Sequence, residues 1–228
     1  MTIAVVGLGA GGHAKVVIEL LRLNGGYKIV GLLDRKPELV GLTVLDVPIL
    51  GDDTLLEELV SRQIQHFFVG LGSTGNIAPR RGLYELARSK GMAPVDAIHP
   101  SAIISSSAIL GQGVTIAANA VINACTVIGE NVIVNTGAII EHDCMLGNHV
   151  HVATGARLAS TVVVGEGAHI GAGATIRQCI KIGQGAIVGA GAVVVRDVPP
   201  HITVVGVPAL PMKQRLPQDE VRKHGEQF

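Results

Sequence analysis

The stretch Glu141-His142-Asp143-Cys144 concentrates more reactive groups than any other part of the chain. An imidazole with an unperturbed pKa near about 6.5 accepts a proton at neutral pH, so His142 is the candidate general base for an amine or hydroxyl attacking an acyl group. Asp143 is the candidate to orient that imidazole and raise its basicity. Consecutive residues of an extended strand point to opposite faces, so the two side chains meet only if the chain bends there or the contact is between chains.

A second constellation lies near the N-terminus, where Gly7, Gly9 and Gly12 form a G-x-G-x-x-G pattern. Glycines after a strand and before a helix allow a tight turn and let phosphate oxygens approach the helix N-terminal amides. Asp34 ends the next strand pattern, where an acid often holds a ribose hydroxyl. These residues alone fit either NAD or a single mononucleotide. The surrounding domain is about half the size of a full dinucleotide fold, which favours the mononucleotide.

Two kinds of periodicity position these groups. Residues 1–95 alternate strand and helix patterns. Ile3–Val6 reads as a buried strand, and His13–Leu23 as a helix burying Val16, Val17, Leu20 and Leu21. Lys28–Leu33 and Phe67–Leu71 read as further strands, Thr54 and Glu57 as a capping box, and Arg81–Lys90 as a last amphipathic helix. This alternation predicts a small parallel α/β sheet.

From Ile98 to Val194 an aliphatic residue recurs at every sixth position, seventeen times in succession. The residue four places later is small or β-branched in most units, as at Ala102, Ala120, Val132 and Ala156. A hexapeptide period of this kind is the signature of a parallel β-helix in which each unit forms one side of a triangular coil. Three hexads per coil at strand spacing predict a prism about 27 Å long over residues 96–200, with a cap and tail over 201–228. Gly129, Gly147, Gly165, Gly171, Gly183 and Gly189 follow the aliphatic position, where positive φ is expected at the corner. Cys144 occupies an inward position, so packing is its expected role.

Lys plus Arg and Asp plus Glu both number 18, and there is no Trp, which argues against nucleic acid as a partner. No uninterrupted apolar run reaches the length of a membrane-spanning helix, so no membrane insertion is expected. Three cysteines without a CxxC pair fit a reducing compartment, and no basic segment precedes the first strand. The expectation is a cytoplasmic enzyme or binding protein.

The stretches Gly9-Ala10-Gly11-Gly12-His13, Ile98-His99-Pro100-Ser101-Ala102 and Asn135-Thr136-Gly137 through Cys144 carry a family resemblance. With the hexads, the chain resembles the left-handed β-helix acyltransferases, in the subgroup that acetylates nucleotide-linked 4-amino sugars, with sialic acid O-acetyltransferases as relatives. The resemblance implies a left-handed coil, a homotrimer, and acetyl-CoA as co-substrate between neighbouring prisms. It implies that His142 is the base, assisted by Asp143, and that His151, Ala172 and Ala190 lie against acetyl-CoA. It places the nucleotide sugar on Gly11, Gly12, His13, Asp34, Arg35 and Gly72. Arg35 departs from the bacillosamine-type enzymes, which tend to carry a second acid there. Asn135 and Glu141 flank the catalytic stretch as candidate sugar contacts. The expected reaction is direct acetyl transfer from acetyl-CoA to a UDP- or GDP-linked 4-amino sugar, with O-acetylation as the alternative.

Other classes stay open at this point. An NAD-binding oxidoreductase is one. A zinc β-helix enzyme is another, although His142, His149, His151 and His169 lack the five-apart histidine pair of that family, and no metal is expected. A non-catalytic scaffold is the third.

Overall fold

The computed structural model describes residues 2–73 and 75–212. The N-terminal part is a sheet of six strands in the order β3-β4-β2-β1-β5-β6. These are β1 (Ile3–Leu8), β2 (Tyr27–Leu33), β3 (Thr43–Val44), β4 (Val47–Gly51), β5 (His66–Val69) and β6 (Ala93–Pro94). All neighbours are parallel except the β3–β4 hairpin. Helix α1 (Gly12–Asn24) covers one face, while α2 (Leu56–Ser61) and α3 (Ala78–Ser89) pack on the other. This is a half-Rossmann layer arrangement, and β1 stands beside both β2 and β5 at the point where strand order reverses.

Local details differ from the expectations. On α1 the buried residues are Ala14, Val17, Ile18, Leu20 and Leu21, while Val16 is exposed, because the sheet meets the stripe centred on Ile18. Thr54 does not cap α2. Asp52 instead accepts from the Thr54 N–H at 3.0 Å and starts a short 3₁₀ turn that runs into the helix.

The hexads close into a triangular prism. Its first face carries strands 97–98, 115–116, 133–134, 151–152, 169–170 and 187–188. The second begins at 103–104 and the third at 109–110, each repeating every coil. Pairings such as Thr115↔Ile133 and Ile133↔His151 set the coil at 18 residues. Thr203–Val205 adds a further strand to the first face, and Leu210–Pro211 pairs antiparallel with it. Of the cap and tail expected over 201–228, residues 213–228 lie outside the described residues. Ile116, Ile122, Val134, Ile140 and their successors fill the interior with Ala120, Val132, Ala138 and Cys144.

The glycines after the aliphatic position have a different reason from the one expected. Gly129, Gly147 and Gly165 do not have positive φ; a Cβ at any of them would fall 2.5–2.7 Å from backbone atoms of the next coil. Glycine is required there by close approach. Positive φ comes two residues later, at the true corner, in Asn131, Asp143, His149, Gly155 and Thr161 among others.

The α/β layer sits on the first face and on the edge leading into it. Outward-pointing Thr115, Ile133 and His151 of the first face are buried. On the other two faces Ile103, Ile109 and Met145 point outward and are exposed. Among the described residues no helix is long and apolar enough to cross a membrane.

Candidate functional site

His142 and Asp143 stand at the edge between the second and third faces, between strands Ile139–Ile140 and Met145–Leu146. Asp143 adopts φ 58°, and this bend brings its Oδ2 to 2.7 Å from His142 Nδ1. A carboxylate on Nδ1 fixes the tautomer with the proton on Nδ1 and leaves the Nε2 lone pair free to accept a proton. The side chains are 54% and 57% exposed, so the pair is open to a ligand or a second chain. Cys144 behind it is fully buried, its thiol pushed up by burial and donating to the Ala159 carbonyl, which suits packing and not acyl transfer.

The second site is the cleft above the carboxyl ends of β1 and β2. Gly9 has φ 101° and packs on the backbone of Gly70 and Leu71, and Gly7 leaves room for Phe68 and Leu32. Gly11 is the N-cap of α1 with no side-chain cap, and nothing lies within 4 Å of a Cβ at Gly11 or Gly12. The helix N-terminus is therefore open to an anion. Asp34 accepts the Ala10 N–H on Oδ2 at 2.9 Å and the Lys36 N–H on Oδ1, so it braces the glycine loop as well as lining the cleft. Arg35 pairs with Asp53 at 2.9 Å. The cleft encloses about 310 Å³, with Leu33, Leu71, Pro79 and Leu83 as its apolar walls. Gly72 lies beside His13, with a Cβ there 3.7 Å from the His13 Cβ.

A third group joins the domains. His151 Nδ1 donates to the Ser73 carbonyl at 2.6 Å, and its ring packs edge-on against His169 at 4.9 Å. Arg80 is 1% exposed and donates to the Asn131 carbonyl, while Asn131 Nδ2 donates to His149 Nδ1 at 2.9 Å. Tyr84 donates to Glu130 at 3.0 Å. Burial, and after it Arg80 and His151, pushes His13 down to about 3; burial, and after it His169, pushes His151 down to about 4. Burial lowers Arg80 to about 9, which leaves the guanidinium charged at neutral pH. Among the described residues, His13 Nε2, His151 Nε2, His169 Nδ1 and Arg80 Nε are buried with no hydrogen-bond partner. Ser73, Arg80, Tyr84 and Asn131 were not anticipated from the sequence, and His149 was weighed only as a metal ligand, although Asn131 and His149, like His151 and His169, lie one 18-residue coil apart.

The anticipated residues thus fall into separate places within one chain. Gly11, Gly12, His13, Asp34, Arg35 and Gly72 gather at the α/β cleft, and His151 lies beneath it against Ser73. Ala172 and Ala190 are exposed on successive coils at the edge between the first and second faces, where the Gly191 N–H donates to the Ala172 carbonyl at 2.8 Å. Asn135 shares that edge, its Oδ1 accepting from the Thr136 N–H. Glu141 and His142 are on the next edge. Among the described residues no group of histidines, cysteines and acids is arranged to hold a metal.

Comparison with known proteins matches this division. Residues 3–86 fit the PglD N-terminal domain, and residues 125–160 and 161–196 fit the bacterial transferase hexapeptide repeat. PerB from Caulobacter crescentus, solved with CoA and GDP-perosamine, is 43% identical over 92% of this chain and 97% of its own, with a TM-score of 0.86. This chain belongs to that hexapeptide-repeat transferase family. The acetyltransferase domain of PglB from Neisseria gonorrhoeae, solved with acetyl coenzyme A, is 40% identical over 93% of this chain and 100% of its own, at a TM-score of 0.85. WeeI from Acinetobacter baumannii is 26% identical over 92% of this chain and 100% of its own, at 0.78. No curated protein matches. The perosamine N-acetyltransferase of Caulobacter crescentus was also solved in two variants, with a histidine replaced by alanine and by asparagine.

Proposed function

We propose that this protein transfers the acetyl group of acetyl-CoA to the 4-amino group of a nucleotide-linked 4-amino sugar. The observation that carries the reading is the His142–Asp143 pair, an oriented imidazole with a free Nε2 at an exposed prism edge. The amine attacks the thioester carbonyl, Nε2 of His142 takes its proton, and backbone amides stabilise the oxyanion before CoA leaves as the thiol. The step is direct, because the nearby thiol of Cys144 is buried. Asp143 holds the imidazole in the accepting tautomer and stabilises the imidazolium that forms.

The nucleotide is held by the glycine loop. Its phosphates meet the open N-terminus of α1 at Gly11 and Gly12, with His13, Asp34, Arg35 and Gly72 around the rest of the ligand. Acetyl-CoA runs along the prism edge of Ala172 and Ala190, whose small side chains leave the backbone accessible, with His151 against it and Asn135 and Glu141 toward the sugar.

The active unit is a homotrimer. His142 stands on the edge between the second and third faces, whereas its own α/β layer covers the first face. Exposed Ile103, Ile109, Met145 and Val163 flank the His142 edge, an apolar surface of the kind that another chain covers. A neighbouring prism packed there brings the partner subunit's His142 toward the cleft of this chain. All described cysteines are free, which suits a cytoplasmic enzyme.

The test is thiol release from acetyl-CoA with UDP-, GDP- and dTDP-linked 4-amino sugars and free sialic acid, alongside His142→Ala. Turnover with an amino sugar, lost in the variant, supports the reading. Turnover with sialic acid alone replaces it with O-acetylation, and silence across the panel removes it.

A further inference from the structure

We infer that Thr126 is a positioning residue for His142: its buried hydroxyl fixes the peptide plane that leads into the imidazole, and with it the contact between His142 and Asp143. This rests on the reading of His142 as the base and adds the residue that aims it. Thr126 lies one coil below Cys144, faces the interior of the prism and is 0% exposed. Its Oγ1 donates to the Glu141 carbonyl at 2.9 Å.

Packing does not account for that hydroxyl. The same inward position on later coils of the column holds Val162, Ile180 and Val198, and valine has the shape of threonine. A hydroxyl placed in hydrocarbon is unfavourable unless it is hydrogen-bonded, and the bond made here goes to the residue immediately before His142. Among the described residues of this column, the side chains that donate a hydrogen bond are Thr126 and Cys144, which bracket the His142 corner. Cys144 performs the same service one coil higher, donating to the Ala159 carbonyl at 3.2 Å.

The bond stands in for one that other corners supply from the backbone. There the carbonyl before the turn accepts from the N–H three residues on: Asn135 from Ala138 at 3.0 Å, Ala153 from Ala156 at 3.1 Å and Gly171 from Ala174 at 3.1 Å. Among the described residues the Glu141 carbonyl has no such turn bond and accepts from Thr126 instead. The rest of the corner is held by main chain: the Asp143 N–H donates to the Ala124 carbonyl and the Thr161 N–H to the His142 carbonyl, each at 3.0 Å. The peptide between Glu141 and His142 is thus the part of the backbone here that a side chain orients. Rotation of that unit redirects the imidazole and pulls Nδ1 away from Asp143, to which it is now held at 2.7 Å.

The experiment compares Thr126→Val, Thr126→Ala and Thr126→Ser in the full chain. It reads steady-state kinetics with acetyl-CoA and the amino-sugar panel, thermal unfolding, and the ring nitrogens of isotope-labelled histidine by NMR, with His142→Ala to assign the signal. Alanine already occupies the equivalent inward position at Ala120, Ala138 and Ala156, so the prism accepts it. The valine and alanine variants should lower kcat about ten- to a hundredfold with both KM values within about twofold, and serine, which keeps the hydroxyl, should retain about half of kcat or more. The His142 ring should pass from the Nδ1–H tautomer to a mixture in the valine and alanine variants. Full kcat with an unchanged tautomer in either variant overturns the role of Thr126. So does a rise in KM that accounts for the whole loss, and so does unfolding of both variants while Thr126→Ser stays folded, since the hydroxyl would then hold the prism and not the base. Silence of the unmodified protein across the panel removes the transferase reading, and the imidazole spectrum then decides by itself: an Nδ1–H tautomer kept in both variants overturns the role of Thr126.

Discussion

His142 and Asp143 are consecutive, yet Nδ1 and Oδ2 meet at 2.7 Å because Asp143 takes the left-handed conformation at φ 58°. Aspartate and asparagine enter that region more readily than other side chains, so one residue serves as both the corner of the coil and the partner of the imidazole. The contact between the two side chains is therefore a by-product of the turn that every coil needs.

Replacing His142 by alanine should lower turnover by on the order of 10²–10⁴ while leaving the assembly intact. D143N retains the turn and loses the charge, so its loss should be smaller, and its unfolding midpoint should stay near that of the unmodified chain. Steady-state kinetics beside thermal unfolding of each variant separates the two roles. An active His142→Ala variant would remove the residue from the mechanism.

Charging the exposed apolar faces tests the assembly. Met145→Glu together with Ile109→Glu should convert the proposed trimer to monomers in sedimentation velocity, with the far-ultraviolet circular dichroism unchanged. Turnover should vanish with the trimer even though His142 and Asp143 are untouched. Trimers that persist in the double variant would mean that these faces do not form the contact.

The two glycine classes of the prism should respond differently. At Gly147 a Cβ would lie 2.7 Å from the Glu166 nitrogen, so both Gly147→Ala and Gly147→Asn should destabilise by about 1–3 kcal/mol. At Gly155, where φ is 66° and the space is open, alanine should cost about 1–2 kcal/mol and asparagine much less. Denaturant unfolding of the four variants checks both expectations. Equal losses for the two Gly155 variants would reject the conformational explanation.

Acid should loosen the seam between the domains. His13 and His151 stay neutral in the folded chain down to about 3 and about 4, whereas an unfolded histidine takes up a proton near about 6.5. Between those values the unfolded state binds more protons, so stability present above about 6.5 is lost as the pH falls toward 4. The urea midpoint should drop between pH 7 and pH 5, and His151→Gln should flatten that dependence. A midpoint independent of pH over this range would contradict the burial of these imidazoles.

The prism was legible because its period is enforced by the interior: every hexad must turn one aliphatic residue inward, and no other function competes at Ile116, Ile140 or Val164. The strands and helices of the α/β layer were legible for similar reasons. The β3–β4 hairpin was missed, since its turn uses Leu45 and Asp46 at positive φ instead of glycine. Arg80 was hidden more thoroughly. It lies one residue before the helix read from the sequence, which begins at Arg81, and only the docking of α3 against the Asn131 carbonyl buries it. His142 and Asp143 were legible as a pair, while the choice between a bend within the chain and a contact between chains was not, because the conformation that permits the contact belongs to the corner and not to the strand.

The 18-residue coil also acts as a clock face for the outside of the molecule. Gain or loss of six residues keeps every inward side chain inward, so the interior does not register the change, but all that follows is rotated by one side of the triangle. Eighteen residues restore the original bearing and alter only height. Length variation in this fold is thus judged by the exterior alone: His142 keeps its heading under whole-coil changes upstream and loses it under single-hexad changes that the core would accept without penalty.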